Sequence, residues 1–469
     1  MFKKILASAL VILSVHSFAF AQTKVTVDVG EAKARKSLLA LPPFNNFGSN
    51  VSGDAQKNAQ ELYDVISNDL DVTGYFTYIK PDAYLEDTKN LALRPAPLAP
   101  NGFDFSKWKS IGTEFLIRGG YRVVGGNISL EIYAYNVEKG DLVFGKKYEA
   151  PLHGRRKLAH TFSNDFVKAV TNKNTFFLHQ IVVSIDNGPR SFRELFTMDW
   201  DGGNSKQITT HRSIAISPDW SPDGKNIAYT AFISRKIGKG PMKKNADLFM
   251  YEVQSGRRWL VSYRDGMNSG ANFLKNSQEL LVTLSGRAPN INRMSLDGKK
   301  ATPITNGPGQ AMNIEPAISP DGTKVAFSSD RSGKPMIFVM NIDGSNVKQI
   351  TFAGFYNATP TWSPDGTKIA FAGVDKGKDS GDGRTGAFDI FLINADGTGL
   401  KRLTSAKKPN GVWANNEAPT FAPDGQRVLF VSDRTINSQL YMVNIDGTNE
   451  RRITYDKRFY SKPKWGPAL

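Results

Sequence analysis

The sequence predicts an N-terminal α/β domain followed by a six-bladed β-propeller. Helical periodicity is confined to the first part of the 469-residue chain, and beyond about residue 175 a repeat replaces it. In four copies, Ser-Pro-Asp-Gly or Ala-Pro-Asp-Gly precedes an apolar strand, as at residues 221–224 and 422–425. A second half-unit, made of a strand, a turn usually written Asp-Gly and a short strand, occurs six times at intervals of 42 to 54 residues. Repeats of this length with four short strands each are typical of propeller blades.

Residues 1–21 predict a secretory signal peptide. Two lysines precede an eleven-residue apolar run from Ile5 to Val15, which is shorter than the roughly 20 apolar residues of a membrane-spanning helix. Ala19 and Ala21 place small side chains at the cleavage positions, so we expect cleavage before Gln22. Because the chain has no cysteine, it offers no lipid attachment site. We therefore expect an exported protein, peripheral to membranes, in the periplasm of a double-membrane bacterium.

Residues 22–174 are predicted to form the α/β domain. Apolar residues at helical spacing mark one helix over Asp54–Leu70 and a second over Leu158–Val170. Apolar and polar residues alternate from Ile128 to Ala134, directly after Gly125-Gly126, which is the pattern of a hairpin with one buried face. The domain is therefore expected to combine helices with an antiparallel or mixed sheet.

Residues 175–469 are predicted to form the propeller, and the strand count indicates how its ring closes. The last unit begins near Pro463 and lacks the strands that would complete a blade. At the N-terminal end of the domain, three predicted strands form a blade without its innermost strand. They are Ile181–Ile185, Phe192–Met198 and Gln207–Thr209. One C-terminal strand plus these three N-terminal strands would make the sixth blade, which removes exposed sheet edges.

The composition and the motifs do not favour catalysis or a cofactor. Without cysteine there is no thiolate metal site, and no Gly-x-Ser-x-Gly, His-x-His or His-Glu-x-x-His motif is present. The repeat aspartates are interpreted as turn residues, because Pro fixes φ, Asp accepts backbone hydrogen bonds and Gly adopts a positive φ. The net charge of +16 would suit an acidic polymer. Basic pairs such as Lys299-Lys300 and Arg451-Arg452 lie beside blade turns, however, so a solvated rim is the better interpretation and no nucleic acid partner is expected.

The loops that lead into the innermost strands are predicted to line one mouth of the central channel. They are rich in small and amide side chains and carry two carboxylates, Glu315 and Glu417. Such a surface suits the docking of a polar protein surface better than the binding of a hydrophobic ligand. Alternatively, the Glu-Pro and Ala-Pro pairs of these loops only stiffen the start of each strand, and the residues alone leave both interpretations open.

The order of these features resembles the TolB family of periplasmic propeller proteins of the Tol-Pal system, over essentially the whole mature chain. The segments that carry the resemblance, besides the blade repeats, are Leu41-Pro-Pro-Phe44, Gly112–Gly119, Ile185-Asp-Asn-Gly188 and Trp465–Leu469. The resemblance implies a monomeric, non-catalytic adaptor that serves outer-membrane integrity and invagination during cell division.

The resemblance also implies two partners and a site for each. The first is Pal, the peptidoglycan-associated lipoprotein, which would bind at the channel mouth, with Glu315 in the place of the family's contacting glutamate. The face implied for Pal comprises Met267, Asn268, Gly270, Ala271, Asn313, Ile314, Glu315, Pro316, Asn357, Thr359, Asn416 and Glu417.

The second partner is TolA, which would bind the mature N-terminal segment, residues 22–33. Its residues at the site are Gln22, Lys24, Val25, Val27 and Val29, of which the alternating valines could add a strand to a partner's sheet. Other outer-membrane or peptidoglycan-associated proteins are further candidates.

An enzyme remains the rival interpretation. A propeller hydrolase or lyase acting on an envelope glycan or peptide in the channel would need paired carboxylates, and Glu315 with Glu417 is the one candidate pair in the sequence.

Overall fold

The structure, a computed structural model, describes residues 35–48, 53–186, 192–236, 241–374 and 386–468. The chain divides into two compact units, Met1–Lys173 and Asn174–Leu469, which are described in turn. The predicted signal peptide and the predicted TolA-binding segment lie outside the described residues.

The N-terminal unit combines helices with one mixed sheet. Its α-helices are α1 (Gly53–Thr73), α2 (Phe105–Ser110) and α3 (Arg155–Thr171), and its 3-10 helices are Pro81–Ala83 and Leu152–Gly154. Its strands are β1 (Ser37–Ala40), β2 (Asn45–Asn46), β3 (Phe76–Tyr78), β4 (Phe115–Val124), β5 (Asn127–Asn136) and β6 (Asp141–Pro151). The sheet order is β3-β1-β4-β5-β6, with β2 also paired to β4. The predicted hairpin is the β4–β5 pair, in which Val124 faces Asn127 across the turn.

The core of this unit explains the helical spacing of its apolar residues. Helices α1 and α3 pack on each other, and α3 also packs on β6. Phe166 of α3 is fully buried and stacks on Phe76 of β3, with 5.7 Å between the ring centroids. Each helix thus buries one apolar stripe, as the periodicity predicts. None of the helices in the described residues combines the length and the apolar character that a bilayer span requires.

The C-terminal unit is a ring of six four-stranded sheets, which confirms the predicted fold class. All pairings within these blades are antiparallel. The strands of blades 1 to 3, innermost first, are Ala215–Trp220, Asn226–Lys236, Met242–Glu252 and Arg258–Ser262; Asn268–Phe273, Glu279–Ser285, Pro289–Ser295 and Ala301–Pro303; Asn313–Ile318, Lys324–Ser329, Met336–Asn341 and Lys348–Gln349. Those of blades 4 to 6 are Tyr356–Trp362, Lys368–Val374, Phe388–Asn394 and Lys401–Arg402; Asn416–Phe421, Arg427–Ser432, Gln439–Asn444 and Arg451–Arg452; Phe459–Ala468, His179–Asp186, Arg193–Asp199 and Lys206–Gln207. A 3-10 helix, Pro308–Gln310, lies between blades 2 and 3.

Neighbouring blades are held together by the aromatic residue that precedes the repeat turn. Trp362 of blade 4 packs among Ile337 and Val339 of blade 3. Its indole N–H donates to the Ala317 carbonyl of blade 3, at 2.9 Å. In the turn that follows, the Asp365 carboxylate accepts from the Thr367 backbone N–H at 3.0 Å. Both repeat residues therefore have structural roles.

A buried threonine explains why the fourth strand of most blades is followed by Ile-Thr or Leu-Thr. In five blades a threonine hydroxyl accepts a hydrogen bond from a backbone N–H of the third strand, at 2.8 to 3.0 Å. In blade 3, for example, the Ile337 N–H donates to Thr351 Oγ1. The hydroxyl continues the ladder where the short fourth strand has already ended, so a buried donor keeps a partner.

Blade 6 closes the ring as predicted, with one C-terminal and three N-terminal strands. We call the Phe459–Ala468 strand the closing strand. It pairs with His179–Asp186 in a register that places Tyr460 opposite Ile185 and Trp465 opposite Ile181.

Candidate functional site

The innermost strands of all six blades break their register at one equivalent position. The residue there adopts a positive φ in every blade, and these residues are Ser217 (52°), Gly270 (65°), Glu315 (55°), Thr359 (50°), Ala418 (51°) and Lys462 (49°). The next residue is proline in every blade except blade 2, where it is Ala271. A left-handed residue followed by proline makes a bulge, because proline cannot donate to the ladder and the bulged strand bends. All six residues line one cavity, the central channel. We call these six residues the bulge ring.

The bulge brings the Glu315 and Lys462 side chains together inside the channel. Glu315 belongs to blade 3 and Lys462 to blade 6, which lie on opposite sides of a six-membered ring. The distance from Lys462 Nζ to Glu315 Oε1 is 2.8 Å, and Oε2 accepts from the Thr359 N–H, also at 2.8 Å. We call Glu315 and Lys462 the channel pair.

Electrostatics favour the charged form of both members of the channel pair. Burial alone would raise the pKa of Glu315, but the charge and hydrogen bond of Lys462, with the Thr359 N–H, bring that pKa below its ordinary value. Burial alone would lower the pKa of Lys462, whereas Glu315, and to a lesser degree Glu417, raise it above the ordinary value. The pair is therefore ionised at neutral pH.

A second lysine of the closing strand reaches into the channel from further along the strand. Lys464 Nζ lies 3.7 Å from Asp219 Oδ1 of blade 1. Asp219 Oδ2 accepts from the Asn272 side chain at 2.9 Å and from the Phe273 N–H at 3.1 Å. Burial raises the pKa of Asp219, and Lys464 and these donors oppose that rise. The two carboxylates Glu315 and Asp219 thus each have a lysine counter-ion from the closing strand.

The other carboxylate predicted for the site, Glu417, lies differently. It is exposed on the innermost strand of blade 5, one residue before the bulge. Although the residue as a whole is solvent-accessible, the protein atoms that surround its carboxyl group displace water from it and raise the pKa of Glu417; Lys462 lowers that pKa, and the neighbouring Asp433 and Glu315 raise it further. Asp433 itself pairs with Lys408 at 2.8 Å. Because Lys462 is paired with Glu315, Glu417 at the rim forms no ion pair with any of the described residues.

The four predicted asparagines, Asn268, Asn313, Asn357 and Asn416, are buried and bind protein groups. Asn268 Nδ2 donates to the Ala246 and Arg264 carbonyls, and Asn357 Nδ2 donates to the Ala353 carbonyl. The other two asparagines each accept a hydrogen bond from an arginine: Arg331 donates to Asn313 Oδ1, and Arg434 donates to Asn416 Oδ1. These side chains hold the start of the innermost strand in place in blades 2 to 5, which the polar character of the sequence alone did not indicate.

The remaining predicted residues differ in their access to solvent. Met267 is 39% exposed, and Ile314, Glu315 and Thr359 are half-buried. Pro316 and Ala271 are buried, and in every blade the residue that follows the positive-φ position is buried as well. Gly270 is itself the positive-φ residue of blade 2. Further exposed apolar side chains surround the mouth, on the loops between blades and at the first residue of the closing strand, namely Tyr263, Met312, Phe352, Phe355, Tyr455 and Phe459.

The fold and this site define a class: two-domain propeller proteins with a closed ring, a channel crossed by an ion pair, and a mouth rimmed by apolar and acidic side chains. Two family models match the chain. The one described as the TolB amino-terminal domain covers residues 25–143, and the one described as the TolB beta propeller domain covers residues 167–381 and 380–468. The chain belongs to the TolB family.

Individual relatives agree with this assignment. A protein TolB homolog of Chlorobium luteolum is 31% identical over 415 residues, covering 88% of this chain and 87% of the relative. A Tol-Pal system protein TolB of Syntrophotalea carbinolica is 36% identical over 169 residues, 36% of this chain and 38% of the relative. Among solved structures, TolB from Acinetobacter baumannii superposes with a TM-score of 0.72 at 23% identity, over 92% of this chain and 96% of that one. That likeness supports the fold.

Proposed function

We propose that this protein is a non-catalytic periplasmic component of the Tol-Pal system that binds the Pal lipoprotein through the channel mouth. The observation that carries the proposal is the form of the mouth. Behind it one ion pair crosses the channel and a second joins two adjacent blades, and exposed apolar side chains such as Met267 and Phe355 surround it together with the Glu417 carboxylate. Apolar anchors inside a polar rim are the usual composition of a protein-docking surface.

A second part of the proposal concerns TolA. Residues 22–33 would bind it by strand addition, with Val25, Val27 and Val29 on one face of the added strand. The protein would then link Pal at the outer membrane and peptidoglycan to TolA, in support of outer-membrane integrity and invagination during division. This part rests on the sequence pattern and on membership of the family.

The rival interpretation, an enzyme in the channel, is less well supported by the geometry. The channel cavities at the bulge ring and beside Glu417 measure about 80 and 220 Å³, whereas pockets that hold drug-sized molecules measure roughly 300–1,000 Å³. Each is smaller than such a pocket, and Glu315, one of the two carboxylates, is already paired with Lys462.

The proposal is tested by calorimetric titration of residues 22–469 with the soluble domain of the Pal lipoprotein from the same organism. Met267→Asp and Ile314→Asp should each weaken binding by roughly tenfold or more, because a charge would be placed within an apolar contact. The matched control is Val347→Asp, since Val347 is 40% exposed on the outermost strand region of blade 3, away from the mouth. Its affinity should be unchanged. If wild-type protein does not bind Pal, the proposed function is wrong; if all three variants bind like wild type, the mouth is not the site.

Deletion of residues 22–33 tests the TolA part separately. The shortened chain should lose binding to the periplasmic domain of TolA and keep its affinity for Pal. Retained TolA binding would contradict the assignment of this segment.

A further inference from the structure

A small cavity lies at the channel mouth between blades 4 and 5. Its volume is about 220 Å³, and Tyr356 and Phe388 are among its walls. These two rings meet edge to face, with 5.6 Å between centroids and 87° between planes. Ile314 and Val431 contribute aliphatic surface. The volume suits a single side chain, because it is smaller than the roughly 300–1,000 Å³ of a metabolite pocket.

The cavity has an excess of negative charge. Glu315, Glu417 and Lys462 all line it. Since Glu315 and Lys462 neutralise each other at 2.8 Å, the remaining charge among the described residues of the lining belongs to Glu417. The nearby Asp433 adds none, because Lys408 pairs with it at 2.8 Å. An aromatic and aliphatic wall beside one free carboxylate is complementary to a long side chain that ends in a cation.

We propose that this cavity is a subsite for one lysine or arginine side chain of the docked partner, with its stem against Tyr356 and Phe388 and its cation paired with Glu417. This inference rests on the proposed docking of a partner at the mouth, and it identifies the group that the partner must present. It also assigns the carboxylate that receives that group. Glu315 is held inside the channel by Lys462, so Glu417, rather than Glu315, determines the specificity for a cation.

The test compares wild type, Glu417→Gln and Glu252→Gln in titrations with the soluble Pal domain. Glu417→Gln keeps the size of the side chain and removes its charge, so the affinity should fall by roughly ten- to thirtyfold. Glu252 is the matched control, since it ends the third strand of blade 1, at the end of the blade away from the mouth. Glu252→Gln should bind like wild type. Glu417→Gln should not lower the melting temperature, because burial and the neighbouring Asp433 and Glu315 raise the pKa of Glu417 and so disfavour its charged form in the folded state.

The outcomes separate this inference from the proposed function. If wild type and Glu417→Gln bind Pal equally well, the subsite is wrong and the docking function stands. If wild type does not bind Pal at all, the docking function fails, and crystals soaked with butylammonium chloride decide the fate of the subsite. Density for butylammonium between Glu417 and the aromatic pair, absent from Glu417→Gln crystals, supports the subsite. A cavity without such density in wild-type crystals overturns it.

Discussion

Glu315 and Lys462 are 147 residues apart in sequence, on opposite blades, and their side chains meet in the channel with 2.8 Å between Oε1 and Nζ. The pair connects the closing strand directly to blade 3. The extensive packing of the closing strand is with its own blade and with the adjacent blades 1 and 5, so the channel pair is a contact across the diameter of the ring.

The channel pair should stabilise the propeller, as a double-mutant cycle can show. Lys462→Met and Glu315→Gln should each lower the free energy of unfolding by about 1–2 kcal/mol, since each leaves a half-buried partner without its counter-ion. Because the two side chains are 36% and 29% exposed, the expected coupling energy is only about 1 kcal/mol. Urea unfolding of both single variants and the double variant measures it. Lys299→Met is the control, since Lys299 is 86% exposed, and an additive cycle would contradict the prediction.

The stabilisation from the channel pair should depend on pH in a defined direction. The pKa of Glu315 is lower in the folded state than the ordinary value of 4.5, so its contribution is complete above that value and is lost as the pH falls through the folded pKa. The pKa of Lys462 is higher than 10.5, so its contribution is complete below that value and is lost as the pH rises through the folded pKa. The difference in unfolding free energy between wild type and Lys462→Met should thus be larger at about pH 7 than at about pH 3. A difference that grew in acid would show that the pair is not ionised as described.

Substitution by glycine should cost less stability in the bulge ring than at a regular strand position. Ala418 holds a φ of 51° before a proline, a conformation that costs an L-residue roughly 1–2 kcal/mol. Ala418→Gly relieves that strain, which offsets the lost methyl contacts and the greater freedom of the unfolded chain. Ala326→Gly, at a fully buried position within a regular strand, has no such relief. We expect the Ala326 variant to be less stable than the Ala418 variant by about 1–2 kcal/mol in chemical denaturation, and equal losses would refute the strain.

The threonine after the fourth strand should contribute the free energy of one buried hydrogen bond to the stability of its blade. Thr351→Val keeps the shape and leaves the Ile337 N–H without an acceptor, which should cost about 1–3 kcal/mol. Hydrogen exchange at Ile337 should accelerate at the same time. Thr302→Val is the matched control, because Thr302 is exposed on a fourth strand, and it should change stability by less than about 0.5 kcal/mol. Unchanged exchange at Ile337 would mean that the hydroxyl is not its acceptor.

The propeller could be predicted from sequence because its signals are local. Turn chemistry at Ser-Pro-Asp-Gly and alternation in the following strand lie within about ten residues, and the count of half-units gives the closure. The channel pair could not be predicted in this way. Lys462 finds its partner only when the ring places blade 6 opposite blade 3 and the bulge directs both side chains inward.

The four asparagines illustrate a second limit. The family resemblance places them on the docking face, yet each is at most 3% exposed. A signal was present, since asparagine recurs at the same position in blades 2 to 5, at 268, 313, 357 and 416. A residue that recurs in most blades serves what the blades share, whereas Glu315 and Lys462, which occur at the bulge in one blade each, form a contact that no single blade could make.

The closing strand also determines whether the propeller can exist as a closed ring. The Gly466 carbonyl accepts a hydrogen bond from His179, 287 residues earlier in the chain. Without the closing strand, the His179–Asp186 strand would present an unpaired edge, and Glu315 and Asp219 would have no lysine counter-ion. One strand thus supplies the missing edge and both counter-ions together. A chain that has lost this strand would keep five complete blades and gain an open sheet edge, which is a site for pairing with another chain.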